Sequence, residues 1–177
     1  MDKKLKISVI GVGFIGKKHI KNFSELASTE LIAVTDTDNK KLRDITDKYN
    51  CLFYNNYNEM LKNKDIEAVS ICLLEHNHVE PAIAAAKAGK HILLEKPMAT
   101  TFQDCIKIKE ACSENGVRIM VGHLLSFDPR YYKFYKEIRE GNMGEVVHFN
   151  IEKKFLDQFV KLSREGLRCN TLLASMV

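Results

Sequence analysis

Nearly continuous runs of Val, Ile and Leu alternate with stretches of helical period from the first residues to about residue 140. The apolar runs cover residues 5–10, 31–35, 68–74, 91–94 and 118–121. A strand that is apolar on both sides must be covered on both sides, which is the situation inside a parallel sheet. Between the runs, the spacing predicts helices over 14–27, 39–49, 79–88 and 102–114. The third stops at Ala88-Gly89-Lys90 and the fourth at Asn115-Gly116. Each offers a glycine for the left-handed position beyond a helix C-terminus. Strand–helix alternation with short links predicts an α/β fold, a doubly wound parallel sheet with right-handed crossovers.

The pattern changes near residue 125. Asp128-Pro129 reads as the cap and first turn of a helix reaching about Arg139, which Gly141-Asn142-Met143-Gly144 ends. Residues 145–154 then alternate, with Val147, Phe149 and Ile151 on one face and His148, Asn150 and Glu152 on the other. That is the pattern of an antiparallel strand with one wet face. The expected organisation is therefore one domain over 1–125, then a linker helix and the first strand only of a second α/β domain over 126–177. Without its sheet partners, the strand at 145–153 is expected to pair with a second copy of the chain. The alternative cover is the tail, with Leu156, Phe159 and Val160 at helical spacing.

Composition narrows the field. The 177 residues are 45% hydrophobic and carry a net charge of +4 with both signs interspersed. No basic block or aromatic-interleaved stripe accompanies that small excess, so nucleic acid is not an expected partner. Cys51, Cys72, Cys105, Cys112 and Cys169 form no CxxC pair and fit neither a metal site nor a disulfide framework. Cys72 lies in an apolar run and reads as a small buried hydrophobe, in a reducing compartment. The basic start, Met1 to Lys6, leads into an apolar stretch broken by Gly11, Gly13 and Gly16, without a cleavage site. No run approaches the ~20 apolar residues that span a bilayer. The expectation is a soluble, cytoplasmic protein without membrane partners.

Gly11-Val12-Gly13-Phe14-Ile15-Gly16 follows a strand and opens a helix, the setting of a dinucleotide fingerprint. The first glycine allows the tight turn, the second lets a pyrophosphate approach the backbone, and the third lets helix and strand pack closely. The free N–H groups and dipole of the helix N-terminus favour phosphate charge. Twenty residues after Gly16, Asp36 ends the second run. A carboxylate there can accept both adenosine ribose hydroxyls and repels a 2′-phosphate, which favours NAD over NADP. Two plainer readings stay open: Asp36 as a loop cap before the helix at Asn39, and the loop as a glycine-rich turn.

In a Rossmann sheet the chemistry lies outside the carboxyl ends of the strands. Three ends here are polar: Leu74-Glu75-His76-Asn77-His78, Glu95-Lys96-Pro97 and Gly122-His123. Lys96 is the catalytic candidate, because an ammonium beside a low-dielectric pocket can hydrogen-bond a substrate hydroxyl and take part in proton transfer. It reads equally as a solvated lysine in a turn fixed by Pro97. His78 reads as a functional group or as a capping or core histidine, and His123 as a substrate contact or a hydrogen-bonded interior residue. Tyr131, Tyr132, Phe134 and Tyr135 read as the packing face of their helix.

The loop at 11–16, the segment from Ala82 to His91 with its Ala-Gly-Lys-His ending, and Glu95-Lys96-Pro97-Met98-Ala99 together resemble the Gfo/Idh/MocA oxidoreductases. Val121-Gly122-His123 and Asp128-Pro129-Arg130-Tyr131 extend the likeness to residues 4–154. The resemblance implies NAD(P)-dependent oxidation of a hydroxyl on a sugar, cyclitol or nucleotide sugar, or the reverse reduction. It implies that Gly11, Gly13, Phe14, Ile15 and Gly16 hold the pyrophosphate and Asp36 the adenosine ribose. Leu73, Leu74 and His78 would line the cofactor, Glu95 would lie by the nicotinamide ribose, and Lys96 would contact the reacting hydroxyl, with His123 near the substrate. The chain departs from the family at Leu73-Leu74, where a Thr-Pro pair is usual, and at Ser126, where close relatives tend to carry arginine. The histidine base that the family draws from its second domain is also missing from the sequence. The expectation is a truncated NAD-dependent dehydrogenase, weakly active or inactive as it stands. The competing reading is a non-catalytic NAD(H)-binding or redox-sensing module acting through a protein partner.

Overall fold

Residues 7–10 of the first strand are all buried, and its last two side chains enter two separate apolar clusters. Ile10 enters one with Val69, Ile71 and Leu94; Val9 enters the other with Val34, Ile20 and Leu42. A strand apolar on both faces thus finds cover on both. The computed structural model describes residues 3–145. Six strands form one sheet: β1 (Leu5–Ile10), β2 (Thr29–Thr35), β3 (Leu52–Tyr54), β4 (Ala68–Ile71), β5 (His91–Leu94) and β6 (Ile119–Val121). Their order is β3-β2-β1-β4-β5-β6, and every neighbouring pair is parallel. This is the doubly wound α/β sheet that the alternation predicts.

Helices α1 (Phe14–Glu25) and α2 (Asn39–Tyr49) bring Ile20, Leu42 and Ile45 to the cluster containing Val9. Helices α3 (Tyr57–Leu61), α4 (Val79–Lys87) and α5 (Phe102–Glu114) bring Met60, Ala82 and Ile108 to the cluster containing Ile10. Each fully buried aliphatic side chain of this kind stabilises the fold by roughly 1.5–3 kcal/mol. The side chains of Asp38, Asn56 and Thr101 accept backbone N–H bonds at the starts of α2, α3 and α5. Capping of α2 therefore falls to Asp38, leaving Asp36 outside the helix.

The strand run expected over 68–74 ends at Ile71, where the chain enters a 3-10 turn at Glu75–Asn77. β3 and α3 are absent from the sequence expectation. β3 has three residues at the sheet edge, with Leu52 and Phe53 exposed, too short and one-sided for a periodic signal. The described residues fall into two units, one ending at Gly122 and the other starting at His123. The second holds a 3-10 turn (Leu124–Phe127) and α6 (Pro129–Arg139), capped by the Asp128 side chain. No residue of α6 is fully buried; Tyr131 and Phe134 are half-buried, while Tyr132 and Tyr135 are exposed. The strand expected at 145–154, the self-association expected through 145–153, and the tail at Leu156, Phe159 and Val160 lie outside the described residues.

Candidate functional site

β1 and β4 are neighbours, yet the chain runs outward from β1 through β2 and β3 before returning to β4. Loops leaving the carboxyl ends of two such strands diverge and open a crevice between them. The 11–16 loop leaves β1 on one side, and Cys72 and Leu73 leave β4 on the other. Gly11 has φ +93°, and a Cβ there would lie 2.7 Å from the Cys72 carbonyl oxygen. A Cβ at Gly16 would lie 1.9 Å from the Gly11 carbonyl oxygen, so helix and loop touch backbone to backbone. At Gly13 a Cβ would meet nothing within 4 Å. The middle glycine faces open space, as it must if another molecule is to approach the backbone there.

Helix α1 opens beside that space with no side-chain cap and no acidic residue in its first turn. Phe14 is exposed, with Lys18 Nζ 4.4 Å from its ring centroid, and Ile15 is also exposed. Asp36 stands at the end of β2. Its Oδ2 accepts from Val12 N at 2.8 Å and its Oδ1 from Asp38 N at 3.0 Å. Each oxygen retains a lone pair, so the carboxylate both braces the loop and can accept hydroxyl protons. Together, the open face at Gly13, the uncapped helix and the carboxylate at the β2 end fit a dinucleotide.

On the other side, Leu73 is half-buried against Gly11 and Leu74 is exposed. His78 is fully buried, its Nδ1 2.9 Å from Pro97 O and its Nε2 3.1 Å from Leu73 O. The ring therefore joins the loop after β4 to the loop after β5, the placement of a core histidine. Glu95 is buried at the end of β5, while Lys96 and Pro97 are exposed, joined by a cis peptide bond. Because Lys96 is exposed, the low-dielectric pocket expected around its ammonium is not formed among the described residues. His123 is exposed and opens the second unit, ahead of the 3-10 turn.

Two residues near Glu95, His19 and Ser70, are missing from the sequence expectation. His19 Nε2 lies 3.1 Å from Glu95 Oε1, and His19 Nδ1 lies 2.8 Å from Ser70 Oγ. Gly122 gives the carboxylate room, since a Cβ there would be 3.2 Å from Oε1. The Cys72 sulfur, and then the Glu95 carboxylate, push the His19 imidazole from its ordinary 6.5 up to about 9, against the cost of burying its charge. The hydrogen bond from His19 holds the Glu95 carboxyl below the usual carboxylate range. The one available signal for His19 was its place one turn after Gly16, on the sheet side of α1.

Residues 5–123 match the model of the oxidoreductase family with an NAD-binding Rossmann fold. The chain belongs to the Gfo/Idh/MocA family. Among relatives of this family, inositol 2-dehydrogenase of Salmonella typhimurium is 33% identical over 150 residues, covering 81% of this chain and 45% of the relative. A 2,7-anhydro-N-acetylneuraminate hydratase of Escherichia coli is 29% identical over 143 residues, covering 81% of this chain and 38% of its own length. Among solved structures, a myo-inositol dehydrogenase from Sinorhizobium meliloti, described as putative, superposes with a TM-score of 0.74 at 31% identity. It is covered over 43% of its length by 81% of this chain. Scyllo-inositol dehydrogenase of Lactobacillus casei, solved with NAD(H) and scyllo-inositol, gives a TM-score of 0.76 at 23% identity, with 81% and 43% of the two chains covered. The chain spans less than half the length of these relatives. Among the described residues, no group of three or more His, Cys, Asp and Glu is placed to hold a metal ion, and no helix is long and apolar enough to cross a membrane.

Proposed function

We propose that this chain is the cofactor-binding half of an NAD-dependent dehydrogenase acting on a ring hydroxyl of a cyclitol or related sugar. The observation that carries the reading is the open face at Gly13 beside an uncapped helix, at the same carboxyl end of the sheet as Glu95-Lys96. The inositol dehydrogenases among the relatives support the substrate class. In this reading residues 1–125 form the cofactor domain and 126–177 begin the substrate domain.

Gly11 and Gly16 shape the loop, and the N–H groups at the start of α1 hold the diphosphate, with Gly13 giving it room. Phe14, Ile15, Leu73 and Leu74 supply apolar walls. Asp36 accepts the adenosine ribose hydroxyls, and its charge disfavours the 2′-phosphate of NADP. His78 supports the wall by tying the Leu73 and Pro97 carbonyls together. Bound NAD supplies a nicotinamide able to accept hydride from the substrate carbon. Glu95 would orient the nicotinamide ribose, and the Lys96 ammonium would donate a hydrogen bond to the oxygen of the reacting hydroxyl.

Thermal melting of the 177-residue protein with each nucleotide tests the cofactor reading, because a ligand that binds only the folded state raises its stability. NAD raises the midpoint and NADP raises it less. Equal shifts remove the role of Asp36, and no shift with either removes the site. Turnover of a panel of inositols with NAD tests the substrate class.

A further inference from the structure

A polar chain runs beneath the phosphate loop, from α1 to the turn that carries Lys96. His19 lies two residues past Lys17, whose N–H closes the first hydrogen bond of α1 on the Gly13 carbonyl. Its ring reaches two other elements at once: Ser70 of β4 through Nδ1 and Glu95 at the end of β5 through Nε2. An ionised carboxylate only accepts, so Nε2 donates to Glu95, and the Ser70 hydroxyl rotates to suit Nδ1. The Phe23 ring stands edge-on to the imidazole, centroids 5.8 Å apart. Glu95 is fixed from other directions too. Its Oε2 accepts from Lys96 N at 3.3 Å, and its Oε1 lies against the Gly122 backbone.

Such a pair is a weak device for stability, because taking two charges out of water offsets most of their attraction. An apolar residue would hold the same face of α1 at less cost. What sets the pair apart is its position, joining the helix that opens at the phosphate loop to the residue next to Lys96.

We propose that His19 is a positioning residue, holding Glu95 and the Lys96-Pro97 turn in register with the phosphate-binding end of α1. Diphosphate binding and placement of the nicotinamide ribose are then set by one helix. The proposal rests on the dinucleotide reading given above. The groups that face His19 are Ser70 of β4, Cys72 just past the end of β4 and Glu95 just past the end of β5, with Lys96 beyond the carboxylate. With its imidazole pushed up to about 9, His19 is charged through neutral pH and the pair is intact there.

The test compares NADH, which reaches the nicotinamide ribose, with ADP, which carries only the adenosine ribose and diphosphate. Both are titrated calorimetrically into the wild-type chain, His19→Ala and His19→Gln, from neutral pH to above about 9. His19→Ala weakens NADH about tenfold, the size of one lost charge-assisted hydrogen bond, and leaves ADP unchanged. The wild type loses NADH affinity as the pH rises through about 9. His19→Gln, whose amide still donates to Glu95, recovers part of the NADH affinity and lacks that loss. Equal weakening of NADH and ADP reduces His19 to a structural role and overturns the proposal, as does an unchanged pH profile in His19→Gln. If His19→Ala does not fold, the His19→Gln profile decides alone. A wild type that binds neither nucleotide overturns the dinucleotide reading and the proposal together, whereas one that binds both and is matched by its variants overturns only the proposal.

Discussion

A methyl group added at Gly16 would lie 1.9 Å from the Gly11 carbonyl oxygen, while one added at Gly13 would touch nothing. The φ of −67° at Gly13 is open to any residue. The two substitutions therefore separate folding from binding. Gly16→Ala must push α1 away from the loop and is expected to cost about 3 kcal/mol or more, read from urea unfolding. Gly13→Ala is expected to unfold at the wild-type urea concentration yet lose most of the stabilisation by NAD. The His19–Glu95 pair gives a pH signature at the same scale. A histidine whose folded pKa lies at about 9, above 6.5 in the unfolded chain, contributes stability that is whole below 6.5 and lost as pH rises through about 9. Glu95 is shifted down, so its share is present above about 4.5 and lost as pH falls below that. Between those limits the wild type is expected to exceed His19→Gln by on the order of 1–2 kcal/mol after solvent screening, and the gap closes at alkaline pH. Urea midpoints of both proteins across that range check it. The glycines, Asp36 and Glu95-Lys96 were legible in the sequence because each sits at a fixed offset from a strand end. His19 and Ser70 were not, since they come from α1 and β4 and meet Glu95 only once the sheet is built.

At the level of elements, the helix starts at Asn39 and Phe102 were readable from spacing, while the caps that fix them, Asp38 and Thr101, came only with the structure. The helix ends were readable from glycine, since Gly89 and Gly116 take the positive φ values expected beyond α4 and α5. β3 and α3 escaped because three and five residues carry too little period. The segment between α3 and β4 is held instead by a distant side chain. Lys90 is buried, and its Nζ donates to Asn63 O at 2.9 Å and Ile66 O at 2.8 Å. Burial pushes the ammonium below the usual lysine range, but the two carbonyls give it partners. Lys90→Met keeps most of the stem and orphans both oxygens. It is expected to destabilise the protein by about 1–3 kcal/mol, with the loss in the urea midpoint and no change in the ratio of the midpoint shifts given by NAD and NADP.

Over the whole molecule, burial is unevenly shared. β4 is buried at every residue and β1 at its last four, whereas α6 has no buried residue. Amide hydrogen exchange is expected to follow, slowest in β1 and β4 and fast in α6. Protection of α6 equal to that of β4 would contradict the distribution of burial described here. The doubly wound plan was readable because strand and helix periods alternate over more than a hundred residues, a signal that errors of a few residues at each boundary do not erase.

The return of β4 to the side of β1 also has a consequence in time. Ile7 pairs with Ala68 and Ile10 with Ile71, so the centre of the sheet joins segments made far apart during synthesis. The phosphate loop leaves the ribosome well before the Cys72 carbonyl and Leu73 that wall it, and before the Glu95 that anchors its far side. A nascent chain arrested before β4 therefore has the glycines without the cleft, and nucleotide becomes a ligand that favours the fold only after β5 has been made. Cofactor supplied during translation acts on the second half of assembly and leaves the first untouched.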